Sequence, residues 1–286
     1  MNWAKRIRIS WAKNAPDIRA ALTGGFPRFV LGNPSAQHDG IPVFCYHRVT
    51  HALIEADLNY LMDNQYNVLS LPDFERQLTS SRVETQAVLL TVDDGAWSLY
   101  NVMFPALKKY NVPVTAFIAP GIHQDHYDGP DYQRPCTWDE IKEMADSGLV
   151  SFQSHTWSHR YIPRWPQPLD LVDIAPRHTE ACRKDVLPLR DDLALAREII
   201  AARLGRPVEH LAFPMYQGTE DAIQTGTELG YRGFWWGTLS GRRGNQAGDP
   251  LTHIPRISAE YIQRLPGRNR LSRTELFRRR RKVIAL

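Results

Sequence analysis

Cysteine is scarce in this chain. The three cysteines among 286 residues, Cys45, Cys136 and Cys182, are an odd number at spacings that suit neither a disulfide framework nor a zinc knuckle. They read as reduced, incidental thiols. Long apolar runs are missing as well: stretches such as 87–90 end after a handful of residues, far short of the ~18 that a spanning helix requires. The N-terminus is basic, but no apolar region of the ~7 to 15 residues of a secretory signal follows it, and with Met1 as the start the expected location is the cytoplasm. No internal repeat is found, and low complexity is confined to 278–282. With 43% hydrophobic and 23% charged residues, the chain is neither fibrous nor disordered, and it is long enough for one large or two small domains.

Acidic residues are nearly absent from both ends. Residues 1–36 carry six Lys and Arg against Asp17 alone, giving +5, and residues 263–286 carry nine against Glu275, giving +8. The body, 37–262, has 20 basic and 29 acidic residues, giving −9, so the net +4 describes the tails and not the body. The chain thus divides into a basic N-terminal segment, a catalytic-sized body and a basic C-terminal tail. Trp3, Ile7 and Trp11 recur at i, i+4 and i+8 with Lys5, Arg6, Arg8 and Lys13 between them, the pattern of an amphipathic helix in a membrane interface. The run 278–282 would add attraction to anionic lipid. The plainer alternative is a solvated tail and an ordinary docking helix. Nucleic acid is not expected as a partner, because the body is acidic and carries no recognisable binding motif.

Between residues 41 and 257, short apolar, β-branched runs alternate with helix-like segments. The runs are 41–46, 67–70, 87–92, 113–118, 149–153, 210–213, 231–236 and 252–257, and they argue for βα units and a parallel sheet. Thr137 with Glu140 predicts a capping box, Ile141 and Met144 an apolar face, and Gly148 the C′ position. A second helix is predicted over 191–204, stopped by Gly205 and Pro207, and a third over 219–230. Seven or eight such units suit an α/β fold with a single catalytic domain, a distorted, TIM-like (β/α) barrel, better than an open doubly wound sheet. Two long stretches, 119–136 and 160–190, lack periodicity and are expected to rim the site.

Two clusters carry chemistry. Asp93-Asp94-Gly95 follows the apolar run 87–90 and Thr91-Val92, at the C-terminal end of a buried strand, where (β/α) barrels keep catalytic groups. Neighbouring side chains of a strand face opposite ways, so both carboxylates reach one site only where the chain turns, and Gly95 permits that turn. In isolation, the same triplet is equally an Asx turn or a helix N-cap. His155 and His159, four apart after another apolar run, can converge on one metal, and a carboxylate from elsewhere would complete a three-ligand site with open positions. Alone, the pair could be two unrelated surface histidines. Both clusters standing at strand ends on one rim favours the functional reading.

With these residues in order, the chain resembles the polysaccharide deacetylase family, also called the NodB-homology or carbohydrate esterase family four domain, over roughly 41–257. Tyr46-His47-Arg48-Val49 is similar to the family's opening strand, Thr91 through Gly95 to its first motif, and 110–118 to the strand that follows. Residues 137–148 running into His155-Thr156-Trp157-Ser158-His159 resemble its helix and second motif, and 204–216 the third. The resemblance implies a hydrolase of amide bonds that removes the acetyl group from an N-acetylated sugar, with Asp94, His155 and His159 binding a divalent metal, zinc in particular. It implies Asp93 as general base and the backbone N–H of Tyr216 as an oxyanion donor. The sequence departs from the pattern in lacking an arginine early in the third motif and an Asp-Trp pair in the fourth. Arg256, grouped with Tyr216 as an oxyanion or substrate residue, could replace the missing arginine beside Asp93, and the general acid is assigned to His47, with His253 as competitor. Trp157, Trp165, Trp235 and Trp236 could offer flat faces to sugar rings or fill the core. His123, His126 and His178 are read as solvated or substrate-adjacent. The substrate is expected to be a glycan or glycolipid precursor. The rivals are a deformylase or other amide hydrolase on the same site, and a non-catalytic carbohydrate-binding pseudoenzyme.

Overall fold

Alternate residues of the most apolar run face two different cores. In strand β3 (Ala87–Asp93), buried along its whole length, Val88, Leu90 and Val92 join the layer between sheet and helices, whereas Ala87 and Leu89 join a smaller cluster inside the curled sheet. By the same parity, Thr91 and Asp93 face inward near its top. The computed structural model describes residues 18–32, 40–127, 134–164 and 186–276. Its other strands are β1 (Val43–Tyr46), β2 (Asn67–Val68), β4 (Val114–Ile118), β5 (Val150–Ser154), β6 (His210–Ala212), β7 (Gly233–Trp235) and β8 (Ile257–Ser258). Every pairing between them is parallel, in the order β7-β6-β5-β4-β3-β1-β8, with β2 on the start of β3. The sheet is a curled, distorted barrel packed on its outside by α1 (His51–Asp63), α3 (Phe104–Tyr110), α4 (Trp138–Asp146), α5 (Leu189–Leu204) and α6 (Glu220–Glu228), whereas α2 (Leu71–Thr79) turns Leu71, Phe74 and Leu78 into the smaller inner cluster.

The helix starts follow from their caps. At α4, Thr137 Oγ1 accepts from Glu140 N at 3.2 Å while Glu140 Oε2 accepts from Thr137 N at 2.8 Å, so both halves of the capping box form. Thr219 caps α6 through Ala222 N, and α5 ends at Gly205 with φ 64°.

The run 252–257 is not the continuous strand its composition predicts. Leu251–His253 forms a 3₁₀ turn, and only Ile257–Ser258 pairs with β1, because Pro250 and Pro255 have no N–H for a ladder. The segment still closes the barrel. Ile254 bridges Trp235 of β7, and three residues later Ile257 pairs with Phe44 of β1, so one short stretch spans the gap and carries Arg256 between its two attachments. Inside, Trp235 packs at a tilt against Phe74 and Phe117, with centroids 5.5 and 5.3 Å apart, and the Arg256 guanidinium lies 5.2 Å above the Phe117 ring. Trp235 is therefore core, not a sugar platform.

Candidate active site

The C-terminal ends of β1, β3, β5 and β6 and the closing segment supply one cluster of side chains, as the barrel architecture requires. Asp93 is the last inward residue of β3. Asp94 joins it on the same side because it adopts φ 70°, so the reversal begins at Asp94 itself and not only at Gly95, with φ 59°. Left-handed backbone recurs in the neighbouring loops at Thr156, His159, Met215 and Tyr216, with φ of 65°, 51°, 56° and 64°. Each such non-glycine residue costs about 1–3 kcal/mol, and five of the eight among the described residues stand here.

Asp94 Oδ1 lies 3.2 Å from His159 Nε2 and 3.6 Å from His155 Nε2. The three side chains offer ligand atoms all within 4.8 Å of one another. His155 Nδ1 lies 2.8 Å from the Ala212 carbonyl, which can only accept, so Nδ1 carries the proton and Nε2 presents its lone pair. Burial pushes its pKa down to about 4, keeping it neutral as a ligand must be. Burial opposes ionisation of Asp94, but the hydrogen bond and charge of His159, with His47 and His155, hold its carboxyl well below the ordinary value. Two imidazoles and one carboxylate fit a divalent metal with positions left open.

Arg256 reaches Asp93 from the closing segment. Its Nη1 and Nη2 donate to Asp93 Oδ1 and Oδ2 at 2.7 and 3.0 Å, a bidentate pair with both side chains almost fully buried. Burial alone would raise the Asp93 carboxyl; Arg256, with His155 and His47, outweighs it and holds the group below its usual range. Cys45, His47 and Asp93 form a second convergent set within 4.8 Å. With both oxygens of Asp93 held by a permanent cation, that set is unsuited to a metal.

His47 Nε2 lies 3.3 Å from the Tyr216 hydroxyl, with the rings edge to face at 5.8 Å. Tyr216 differs from expectation in its backbone: its N–H donates to the Phe213 carbonyl at 2.9 Å, so its phenol and not its amide meets the neighbouring functional residue. His253 is not brought into the cluster. Its ring stacks on Trp236 at 5.2 Å and 6°, and Nε2 lies 3.3 Å from Glu220 Oε1 at the start of α6. That stacking also covers one face of Trp236. Trp157 is half-buried, and Trp165 and His178 lie outside the described residues.

Three residues escape the sequence reading. His123 is buried, not solvated: Nδ1 bonds the Cys136 carbonyl at 2.8 Å, burial lowers its pKa to about 4, and its ring fills the space that a Cβ on Gly95 would need. Cys45 is not incidental; it lies beneath Arg256, with Sγ 3.6 Å from Nη1, and burial raises its thiol, keeping it protonated. Its parity with His47 on the end of β1 was the available signal. Asp192, in the first turn of α5, accepts from Trp157 N at 2.8 Å, Ser158 N at 3.2 Å and Ser158 Oγ at 2.5 Å, so it holds the loop between the two histidines. No local pattern announces it.

Comparison with known proteins agrees in kind. The family profile described as polysaccharide deacetylase matches residues 80–234. YxkH of Bacillus subtilis, whose name assigns it provisionally to polysaccharide deacetylases, is 26% identical over 202 residues, 67% of this chain and 62% of its own length. A poly-beta-1,6-N-acetyl-D-glucosamine N-deacetylase of Staphylococcus aureus is 27% identical over 111 residues, 38% of this chain. The chain thus spans 62% and 37% of these two relatives. The structure of IcaB from Ammonifex degensii superposes with a TM-score of 0.61 at 25% identity, covering 78% of this chain and 92% of that one.

Proposed function

This chain belongs to the polysaccharide deacetylase family, and on that premise we propose that it is a metal-dependent hydrolase removing the N-acetyl group of an N-acetylated sugar in a glycan or glycolipid precursor. The observation that carries the reading is the buried Arg256–Asp93 pair standing directly beside the convergent Asp94, His155 and His159. A pair of that kind keeps a carboxylate ionised in a dry site, which is what a general base needs and what a carbohydrate-binding pseudoenzyme has no use for.

Asp94, His155 and His159 would hold the metal, and the nitrogen-rich donor set favours zinc. A bound metal of this kind supplies Lewis acidity toward the amide carbonyl and lowers the pKa of water from about 15.7 to about 7. The rest falls to the chain's own groups. Asp93 takes the proton of the attacking water while Arg256 fixes its orientation and charge. The C–N bond of the amide breaks, acetate leaves with the water oxygen, and the sugar nitrogen must gain a proton. His47 is the group to give it: it stands beside Asp93, with Tyr216 against its Nε2, whereas His253 is engaged with Trp236 and Glu220.

The test is metal content by elemental analysis together with mass spectrometry of N-acetylated and N-formylated sugars incubated with the purified protein. A stoichiometric divalent metal, lost in His155→Ala and Asp94→Ala, with release of acetate and free amine, is the expected result. A preference for the formamide would move the activity to deformylation. Full metal retention by either variant would remove the ligand assignment.

A further inference from the structure

The described parts of the N-terminal and C-terminal segments meet on one side of the fold. Phe26 packs edge-on against Tyr261 at 5.5 Å, Arg264 Nε donates to the Val30 carbonyl at 3.1 Å, and Arg270 Nη2 donates to the carbonyls of Phe29 and Gly32 at 2.5 and 3.2 Å. Residues 18–32 and 263–276, far apart in sequence, therefore form one surface. Arg264 and Arg270 are satisfied by backbone carbonyls, and among the described residues no carboxylate pairs with them. Burial and the charges of neighbouring arginines, Arg273 included, weigh against their ionised forms. Arg19, Arg268 and Arg273 are exposed on the same two segments. Within 18–32 and 263–276, six arginines stand against one carboxylate, Glu275.

The apolar side chains of this region point to what compensates it. Among the described residues, five large hydrophobic side chains are exposed, and three of them belong to the N-terminal segment: Ile18 at 45%, Leu22 at 82% and Leu31 at 49%. Ile18 and Leu22 are one helical turn apart and share a face. A fourth, Met62, lies in the last turn of α1, two residues before Asn64, whose Oδ1 accepts from Arg268 N at 2.6 Å. Nucleic acid would satisfy the arginines but leave Leu22 in water. A second copy of the chain on this face would set its arginines against the same arginines. A bilayer interface takes both kinds of side chain at once.

We propose that this face docks on an anionic lipid surface, with Ile18, Leu22 and Leu31 entering the interface and Arg19, Arg268 and Arg273 meeting the headgroups. The flanking sequence adds Lys5, Arg6, Arg8 and Lys13 on one side and the basic run 278–282 on the other, all of the same sign. The active site plays no part in the argument, so the catalytic reading stands or falls separately.

The experiment is co-sedimentation of the full chain with vesicles of phosphatidylcholine alone and of phosphatidylcholine with phosphatidylglycerol, with duplex DNA as a soluble competitor at equal phosphate. Binding to the anionic vesicles, at least ten-fold weaker binding to the neutral ones, and persistence in the presence of DNA are expected. Leu22→Asp should abolish sedimentation, and Arg268→Gln and Arg273→Gln should weaken it about five-fold each, with metal content and melting temperature unchanged. Absence of binding to anionic vesicles, equal binding by Leu22→Asp, or loss of binding to the DNA competitor would each overturn the proposal.

Discussion

The base role proposed for Asp93 requires a carboxyl that is both buried and charged, and Arg256 is the residue that reconciles the two conditions. Asp93→Asn is expected to retain metal and lose about 10²-fold or more in kcat, the usual contribution of a positioned general base; near-wild-type turnover would move that role elsewhere. Arg256→Met leaves a buried carboxylate without its cation, at a cost of about 3–5 kcal/mol in stability. The pH dependence has a definite sign. Asp93 is depressed in the folded protein, so the pair's stabilisation is present above the ordinary carboxylate range and disappears as pH falls through the lowered value. Without Arg256, burial raises Asp93, and the acid limb of the kcat/KM profile should move to higher pH; an unmoved limb would mean that Asp93 does not set it. For the acid, His47→Ala should lower kcat on a sugar N-acetate while sparing an activated acetate ester, whose leaving group hardly needs a proton. His253→Ala should alter neither much, and a selective loss there instead would reverse the assignment.

At the scale of elements, the contrast between α4 and the loop after β5 shows what a sequence discloses. The capping box of Thr137 and Glu140 is written in adjacent residues and forms as written. The loop after β5 declares its two histidines but not the carboxylate beneath them, because Asp192 reaches it from another helix, 34 and 35 positions away. Asp192→Asn keeps the shape and swaps one acceptor for a donor facing the loop's own N–H groups. Metal affinity should fall about 10- to 100-fold, measured by competition with a chromophoric chelator, as for other supports of a metal ligand. Unchanged affinity would show that the loop holds its left-handed turns unaided. The 252–257 run failed as a strand for a local reason already in the sequence, Pro255 within it and Pro250 just before it. His123 and Cys45 were misjudged because burial behind Gly95 and beneath Arg256 is a product of the closed barrel, invisible until strands are set side by side.

For the whole molecule, a metal bound only by the native state should raise its stability by mass action, about 2.7 kcal/mol at a hundred-fold excess over Kd. A chelator is then expected to lower the melting temperature by about 5–10 °C in the native chain. It should have no effect in Asp94→Ala. An equal chelator effect in both would place the stabilising ion outside the Asp94, His155 and His159 set. The alternation of runs and helices was enough to read the barrel, since parallel strands joined by helices leave few other arrangements. How the ring closes was not readable, because Ile254 and Ile257 each find a partner strand distant in sequence.

That closing stretch has a consequence for how the protein fails. The same few residues join the first strand to the seventh and deliver the cation on which Asp93 depends. A molecule whose seam has parted would keep its helices and most of its sheet, yet leave Asp93 without the guanidinium that orients it. In rising denaturant, activity should vanish while the far-ultraviolet signal of the helices is still intact, so that an imperfectly assembled copy is silent and does not hydrolyse wrongly.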